Sequence, residues 1–340
     1  IDPVKDIPLD SKETMSLFQN TKALGIEPKD ILDCPLGALG VPEFGTDFAM
    51  QMLLDTKPEG LSDLVRIAGL AHGTDVWLGN AQTLILEGKA TIRTAICTRD
   101  DIMIYLIEKG LDEGESFKIM ESVRKGKGLT DEWVEHMEAH GVPDWYIWSC
   151  KKIKYMFPKA HACAYVLSAL RIAYFKVHYP VEFYTAFLNR KVGDFKMTTM
   201  FFQNQKNNKN IVTIEDLKNS RKKLDSEPNL NAKQKQELFL YEILVEMSCR
   251  NIELEKPNIL TSNAKLFTIT EDKKIQLPLI AVDGLGESVA EKIVSEREKE
   301  VFLSLEDLTK RAKLNKTVLK LLQDYGCVEE IQEENQAKLF

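Results

Sequence analysis

At 340 residues, 44% hydrophobic and 29% charged, the chain is longer than a single core usually serves and too mixed for a fibrous or disordered protein. No run reaches the roughly eighteen apolar residues of a membrane span, and the six cysteines, scattered without a CxxC pair, argue for reduced thiols in a cytoplasmic protein over a disulfide framework or zinc knuckle. A net charge of −7, taken as a sum, speaks against a nucleic-acid partner. The chain opens Ile1-Asp2-Pro3-Val4-Lys5, with neither an initiator Met nor a charged-then-apolar leader, which predicts no secretion signal and a piece of something longer.

Along the chain the charge is uneven. The first sixty residues set five lysines against eleven acids. Ser11 offers a helix cap there, Gly25 and Pro28 break the periodicity, and residues 8 to 36 read as a connecting segment. The glycines and proline from Gly37 to Gly45 make a loop, and a helical pattern resumes at Phe48 and stops before Pro58. Short helices are then predicted over 61–69, 77–87, 99–109, 115–125, 130–140 and 145–155, with a long one over 158–178 that Pro158 starts and Pro180 ends. From Trp145 to Val181 there is no Asp or Glu, while Lys151, Lys152, Lys154, Lys159, Arg171 and Lys176 all fall there. The next stretch, 195–235, is rich in Asn, Lys and Gln and marks a junction or a surface helix pair. Residues 264–278 alternate as one or two short strands do. The last twenty-one residues are acidic again, two lysines against five acids. The pattern predicts a mainly α chain: a helical lobe, then a small α+β domain. An acidic, basic, acidic layout suits one surface facing an anionic polymer and others facing protein or water, although any single lysine cluster also reads as a solvated helix face.

Three constellations carry chemistry. Val282-Asp283-Gly284-Leu285-Gly286 before an Ala/Ile/Val helix reads as the hairpin of a helix-hairpin-helix element. Gly284 and Gly286 permit the tight turn, the following amides face a phosphate, and Lys292 and Arg297 add charge. An ordinary helix-connecting turn would leave the same GxG. Lys159 and His161 stand in the first turn of the long helix, where unpaired amides and the dipole favour an anion; for His161 alone a structural hydrogen bond is the default. Arg124-Lys125-Gly126-Lys127-Gly128 lacks Walker spacing but forms a basic glycine loop able to close over phosphates, with plain C-capping as the alternative. Arg99 and the His72–Asp75 loop are weaker positions of the same kind. Asp100-Asp101 is the adjacent acidic pair in this neighbourhood, but successive helix residues diverge, so no metal site is predicted.

The strings LGVPEFGTDF (39–48), GLAHGTDVWLGNAQ (69–82), RDDIMIYLI (99–107), KIMESVRKGKGLT (118–130) and VPDWYIWSCKKIKYMFPKAHACAYVLSALRIAYFKVHYP (142–180) resemble the C-terminal part of the PolC-type alpha subunits of bacterial DNA polymerase III. The resemblance is close from Asp2 to about Lys191 and returns near Val282. It implies a fingers region over 1–191, a duplex-binding domain with the helix-hairpin-helix over 192–328, and an acidic tail, 329–340, ending in a clamp-binding-like peptide. On this reading the RKGKG and FPKAHA strings make Arg124, Lys125, Lys127, Lys159 and His161 candidates for the incoming dNTP, with Arg99 beside them, and Gly284, Gly286, Lys292 and Arg297 candidates for DNA. Ala71 stands where the family usually has Ser. Gln336, Leu339 and Phe340 match the clamp peptide usually written QLSLF, with Ala337 in place of a larger anchor; Asn263-Ala264-Lys265-Leu266-Phe267 is an internal near-copy.

The resemblance further implies that the palm, with the carboxylates that hold Mg²⁺, precedes Ile1 together with the exonuclease and PHP domains. This chain is therefore expected to hold no catalytic residue and no metal ligand, and to be inactive alone. The implied whole is a cytoplasmic replicative DNA-directed DNA polymerase working with primer-template DNA, dNTP, the sliding clamp and other replisome subunits, and with no membrane. The rival is a non-catalytic helix-hairpin-helix module tethering a repair or structural complex to DNA.

Overall fold

A computed structural model of the chain describes residues 1–203 and 210–332. The chain divides into two units, Ile1–Gly25 with Pro35–Val177 and Ile26–Cys34 with the residues from His178 onward. The connecting segment expected over 8–36 is thus shared, its middle joining the second unit.

Unit 1 is helical. Its elements are α1 (Lys12–Ser16), α2 (Asp47–Thr56), α3 (Leu61–His72), α4 (Gln82–Leu86), α5 (Arg99–Glu108), α6 (Glu113–Arg124), α7 (Asp131–Ala139), α8 (Asp144–Lys152) and α9 (Lys159–His178), whose last residue crosses into unit 2. Local chemistry explains their starts. Ser11, Thr46, Asp112 and Thr130 each accept a bond from an amide of the first turn, which is worth about 1 kcal/mol per cap. Apolar residues at helical spacing build the core: Leu64, Ile67 and Leu70 on α3, Ile102 and Leu106 on α5, Ile119 and Val123 on α6, and Val166, Ala169 and Leu170 on α9 are all buried. The continuous helix expected over 77–87 is broken, because Leu78 is extended and Gly79 left-handed, so that only α4 is regular. The helix expected over 145–155 stops at Lys152.

Unit 2 contains α10 (Pro180–Arg190), α11 (Met197–Met200), α12 (Ile214–Asp225), α13 (Ala232–Cys249), α14 (Glu287–Lys299), α15 (Leu305–Ala312) and α16 (Lys316–Asp324). A two-residue pair, β1 (Phe202–Gln203) with β2 (Asn210–Ile211), is antiparallel. A small sheet has the order β3-β5-β4, where β3 (Leu254–Glu255) runs parallel and β4 (Thr268–Ile269) antiparallel to β5 (Ile275–Gln276). The 195–235 stretch holds α11 and α12, and α12 packs on α13, which begins at Ala232. Leu240, Ile243, Leu244 and Met247 of α13 are buried, as are Phe267, Ile275 and Leu277. Within this core the Tyr184 hydroxyl donates to Oε1 of the fully buried Glu246 at 2.6 Å. Across the described residues no helix is long and apolar enough to cross a membrane. All six cysteines are free thiols.

Candidate functional site

In unit 1 the residues from Ile153 to Pro158, the first three of which the sequence predicts in a helix, form a rung outside the helices that gathers distant segments. Thr74 N–H donates to Tyr155 O at 2.9 Å, and Lys154 N–H to Thr74 O at 3.1 Å. Met156 N–H donates to Arg124 O at 3.3 Å, and Arg99 N–H to Phe157 O at 3.2 Å. Lys159 N–H donates to Asp100 Oδ2 at 2.8 Å. These backbone links bring the starts of α5 and α9, the end of α6 and the loop after α3 to one place. Arg99, Arg124, Lys125, Lys127, Lys159 and His161, chosen from three separate strings, therefore share one neighbourhood.

The basic loop joins this rung through Gly126. Its φ is +71°, and a Cβ there would lie 2.5 Å from Lys154 O, so only glycine lets the two backbones meet. The loop is also tied to its own helix, with Lys127 N–H donating to Ser122 O at 3.0 Å and the Ser122 hydroxyl to Gly128 O at 2.8 Å. This is the capping arrangement, and it sets the loop in one conformation.

The cations differ in how committed they are. Glu121, three and four residues before Arg124 and Lys125, binds both; the Arg124 fork and the Lys125 ammonium hold its carboxyl down at about 2, against 4.5 ordinarily. Lys159 Nζ lies 3.6 Å from Asp101 Oδ1. Lys127 is exposed, and neither it nor Arg99 makes an ion pair among the described residues. The α9 N-terminus is already part-filled, since the Asp100 carboxylate accepts from the Lys159 amide; no local signal points to a partner 59 residues away.

Beside the cations stands a group of rings. His72 and Phe157 are 4.8 Å apart between centroids, Phe157 and His161 5.6 Å, and His161 and Tyr165 5.6 Å. His161 and Tyr165 are exposed, so Tyr165 presents a face to solvent. His72 Nε2 sits 2.6 Å from Glu43 Oε2. A second wall, the Tyr105–Tyr146 stack at 4.2 Å, lines a cavity of 410 Å³ together with Arg66, Asp101, Trp145 and Lys159.

In unit 2 the hairpin runs from Pro278 to α14. Gly284 has φ +92°, a conformation a side chain would strain, and a Cβ would touch Leu321 Cδ1 at 3.4 Å. Gly286 is extended with open space around it, so it is a helix N-cap position with no requirement for glycine. The two flanking cations are engaged within the fold. Arg297 Nη1 donates to Ile259 O at 2.8 Å and Ser262 O at 3.0 Å, and burial lowers its pKa. Lys292 pairs with Glu296 at 2.7 Å; Lys292 and Lys299 together hold that carboxyl at about 2. Arg297 thus braces the 259–262 turn, and Lys292 is paired with a carboxylate one turn away. Exposed cations without an ion pair among the described residues stand instead on α15 and α16 and the turn between them, namely Lys310, Lys313, Lys316 and Lys320.

The peptide Gln336, Leu339 and Phe340 lies outside the described residues. Its internal near-copy is built into unit 2: Phe267 is buried against Phe195 at 5.4 Å, and Asn263 Oδ1 accepts from the Lys265 and Leu266 amides. Among the described residues no three His, Cys, Asp or Glu side chains converge as a metal site would need. Asp100 and Asp101 are occupied by amides and cations. The described residues do not fit a Mg²⁺ centre.

Residues 1–141 match the family model for the bacterial DNA polymerase III alpha subunit finger domain, and residues 251–339 match a helix-hairpin-helix motif. Among curated proteins, the chain is 48% identical over 336 residues to a protein from Caldanaerobacter subterraneus subsp. tengcongensis named DNA polymerase III PolC-type. It is 50% identical over 340 residues to the protein of that name from Oceanobacillus iheyensis, and 49% over 341 residues to that from Bacillus subtilis. The matches cover 99% to 100% of this chain and 23% of each relative, so the chain spans under a quarter of their length.

Proposed function

We propose, for a chain that belongs to the PolC-type DNA polymerase III family, that it supplies the nucleotide-handling and duplex-gripping parts of a replicative DNA polymerase. The observation that carries this reading is the rung of residues 153–158, which ties the RKGKG loop and Arg99 by backbone hydrogen bonds, while the Asp100 carboxylate ties the Lys159–His161 turn to the same place. Several cations fixed on rigid backbone suit a triphosphate, whose charge they offset while holding it in line for a primer hydroxyl. Lys127 and Arg99 meet it without first leaving a carboxylate. Arg124 and Lys125 act as a unit with Glu121, and Lys159 exchanges Asp101 for phosphate. The rings of His161 and Tyr165 offer a stacking face at the same edge.

This chain binds and orients, and proton or metal chemistry belongs to residues elsewhere in the polymerase. In unit 2 the Gly284 turn presents the start of α14 to a duplex backbone, and the lysines of α15 and α16 supply the positive surface that Lys292 and Arg297 do not. The terminal Gln336–Phe340 peptide serves a sliding clamp, and a cytoplasmic site of action goes with this role.

The test is nucleotide-dependent. In the complete polymerase, Lys159→Ala should weaken dNTP binding at least about tenfold, the value of one charged phosphate contact. Unchanged affinity and unchanged incorporation would remove the assignment and leave a plain DNA-binding module. Deleting 336–340 should abolish clamp-stimulated synthesis and spare distributive synthesis; equal loss of both would reject the tail's role.

A further inference from the structure

The two carboxylates that open α5 do different work. Asp100 is spent on backbone, accepting the Lys159 amide. Asp101 is divided. Its Oδ2 accepts from the Cys97 and Thr98 amides at 3.1 and 2.8 Å, while its Oδ1 faces two cations, Lys159 Nζ and Arg66 Nη1, each at 3.6 Å. Charge-assisted bonds ordinarily close to about 2.7–2.9 Å, so one oxygen shared at this distance grips neither cation firmly. The three side chains differ in access: Asp101 is 11% exposed, Arg66 19% and Lys159 40%, and all line the 410 Å³ cavity. Lys159 is the partner free to leave. If it leaves, Arg66 remains on the same oxygen, and the half-enclosed carboxylate is not stranded without a counter-ion.

We propose that Asp101 is a positioning residue that parks Lys159 beside the start of α9 and yields it to an incoming polyphosphate, with Arg66 as the standing replacement counter-ion. This rests on the reading of Lys159 as a polyphosphate contact. The device has a sign. Asp101→Asn keeps an oxygen for the Cys97 and Thr98 amides but removes the charge that competes with phosphate, so the nucleotide binds more tightly. Arg66→Gln leaves Lys159 as the sole counter-ion, so yielding it strands Asp101 and the nucleotide binds more weakly. Damage to packing alone would weaken binding in both variants.

The experiment measures the equilibrium dissociation constant of a dNTP for the complete polymerase on a dideoxy-terminated primer-template. Asp101→Asn should tighten binding about twofold to fivefold and Arg66→Gln should weaken it by a similar factor, the range of a partly exposed ion pair. Both effects should vanish in a Lys159→Met background. Weaker or unchanged binding in Asp101→Asn, or the same tightening without Lys159, overturns the proposal. Lys159→Met alone leaving the constant unchanged overturns instead the polyphosphate role of Lys159, which separates the two failures. Should Asp101→Asn fail to fold, Arg66→Gln in the two backgrounds decides: weakening only where Lys159 is present supports the exchange, and any other result rejects it.

Discussion

Gly126 and Gly128 bracket Lys127 and share a left-handed backbone, with φ of +71° and +75°, yet they differ in what surrounds them. A Cβ on Gly128 meets nothing within 4 Å, whereas one on Gly126 would lie 2.5 Å from Lys154 O and 3.0 Å from Lys154 Cα. Alanine at either position carries the left-handed cost of about 1–2 kcal/mol. At Gly126 the loop must in addition retreat by about 0.7 Å to restore van der Waals contact. That shift disturbs the link between Met156 and Arg124 and adds about 1–3 kcal/mol, as overpacking does. Gly126→Ala should therefore cost about 2–5 kcal/mol, against about 1–2 for Gly128→Ala. Urea unfolding followed by tryptophan fluorescence reads this directly, because Trp77, Trp133, Trp145 and Trp148, the four tryptophans of the chain, all lie in unit 1. In the complete polymerase, Gly126→Ala should also lose more dNTP affinity than Gly128→Ala, since it moves Arg124 and Lys127 relative to Lys159. Equal destabilisation, within about 0.5 kcal/mol, would refute the claim that the rung and the loop depend on each other's approach.

Other outcomes follow from the same geometry. Lys176 is fully buried and its ammonium donates to Gly37 O at 2.8 Å and Leu39 O at 2.5 Å; Lys176→Met strands two buried carbonyls and should cost about 2–4 kcal/mol by the same fluorescence assay, and an unchanged midpoint would show that the loop at 37–39 does not need it. Gly284→Ala should weaken duplex binding while Gly286→Ala leaves it near wild type, as only the former has a positive φ; equal losses in a salt-matched binding assay would contradict the hairpin geometry. For pH, Glu121 has a depressed folded pKa of about 2 against 4.5, so its contribution is complete above 4.5 and is lost as pH falls through 2. A carbon-detected NMR titration should place its midpoint near 2, and Arg124→Gln should raise it; a midpoint at 4.5 in the wild type would mean that the Glu121 cluster does not persist in solution.

Much of this protein is determined by sequence alone. Helix positions follow from caps and apolar spacing, which are local, and the family follows from long strings such as the one over 142–180. Glu121 was also within reach, since a carboxylate three and four residues before two cations on a helix is a short-range signal. Burial of Phe267, by contrast, removes from consideration an internal peptide that by letters alone differs from the tail only at Asn263.

Tertiary structure decided the charges. By sequence Lys292, Arg297, Lys127 and Lys159 are all candidate phosphate contacts. The fold sends Arg297 to two backbone carbonyls and Lys159 to Asp101, and leaves Lys127 in solvent, whereas Lys292 meets Glu296 one helical turn away, a pairing as local as that of Glu121. It also ends α8 at Lys152 and leaves residues 153–158 non-helical, because bonds to Thr74, Arg124 and Arg99, distant in sequence, replace those a further helical turn would make. Periodicity reports only what a residue's near neighbours favour. Which partner claims a charge, or a peptide group, depends on segments dozens of residues away, and that competition is settled only when they pack together.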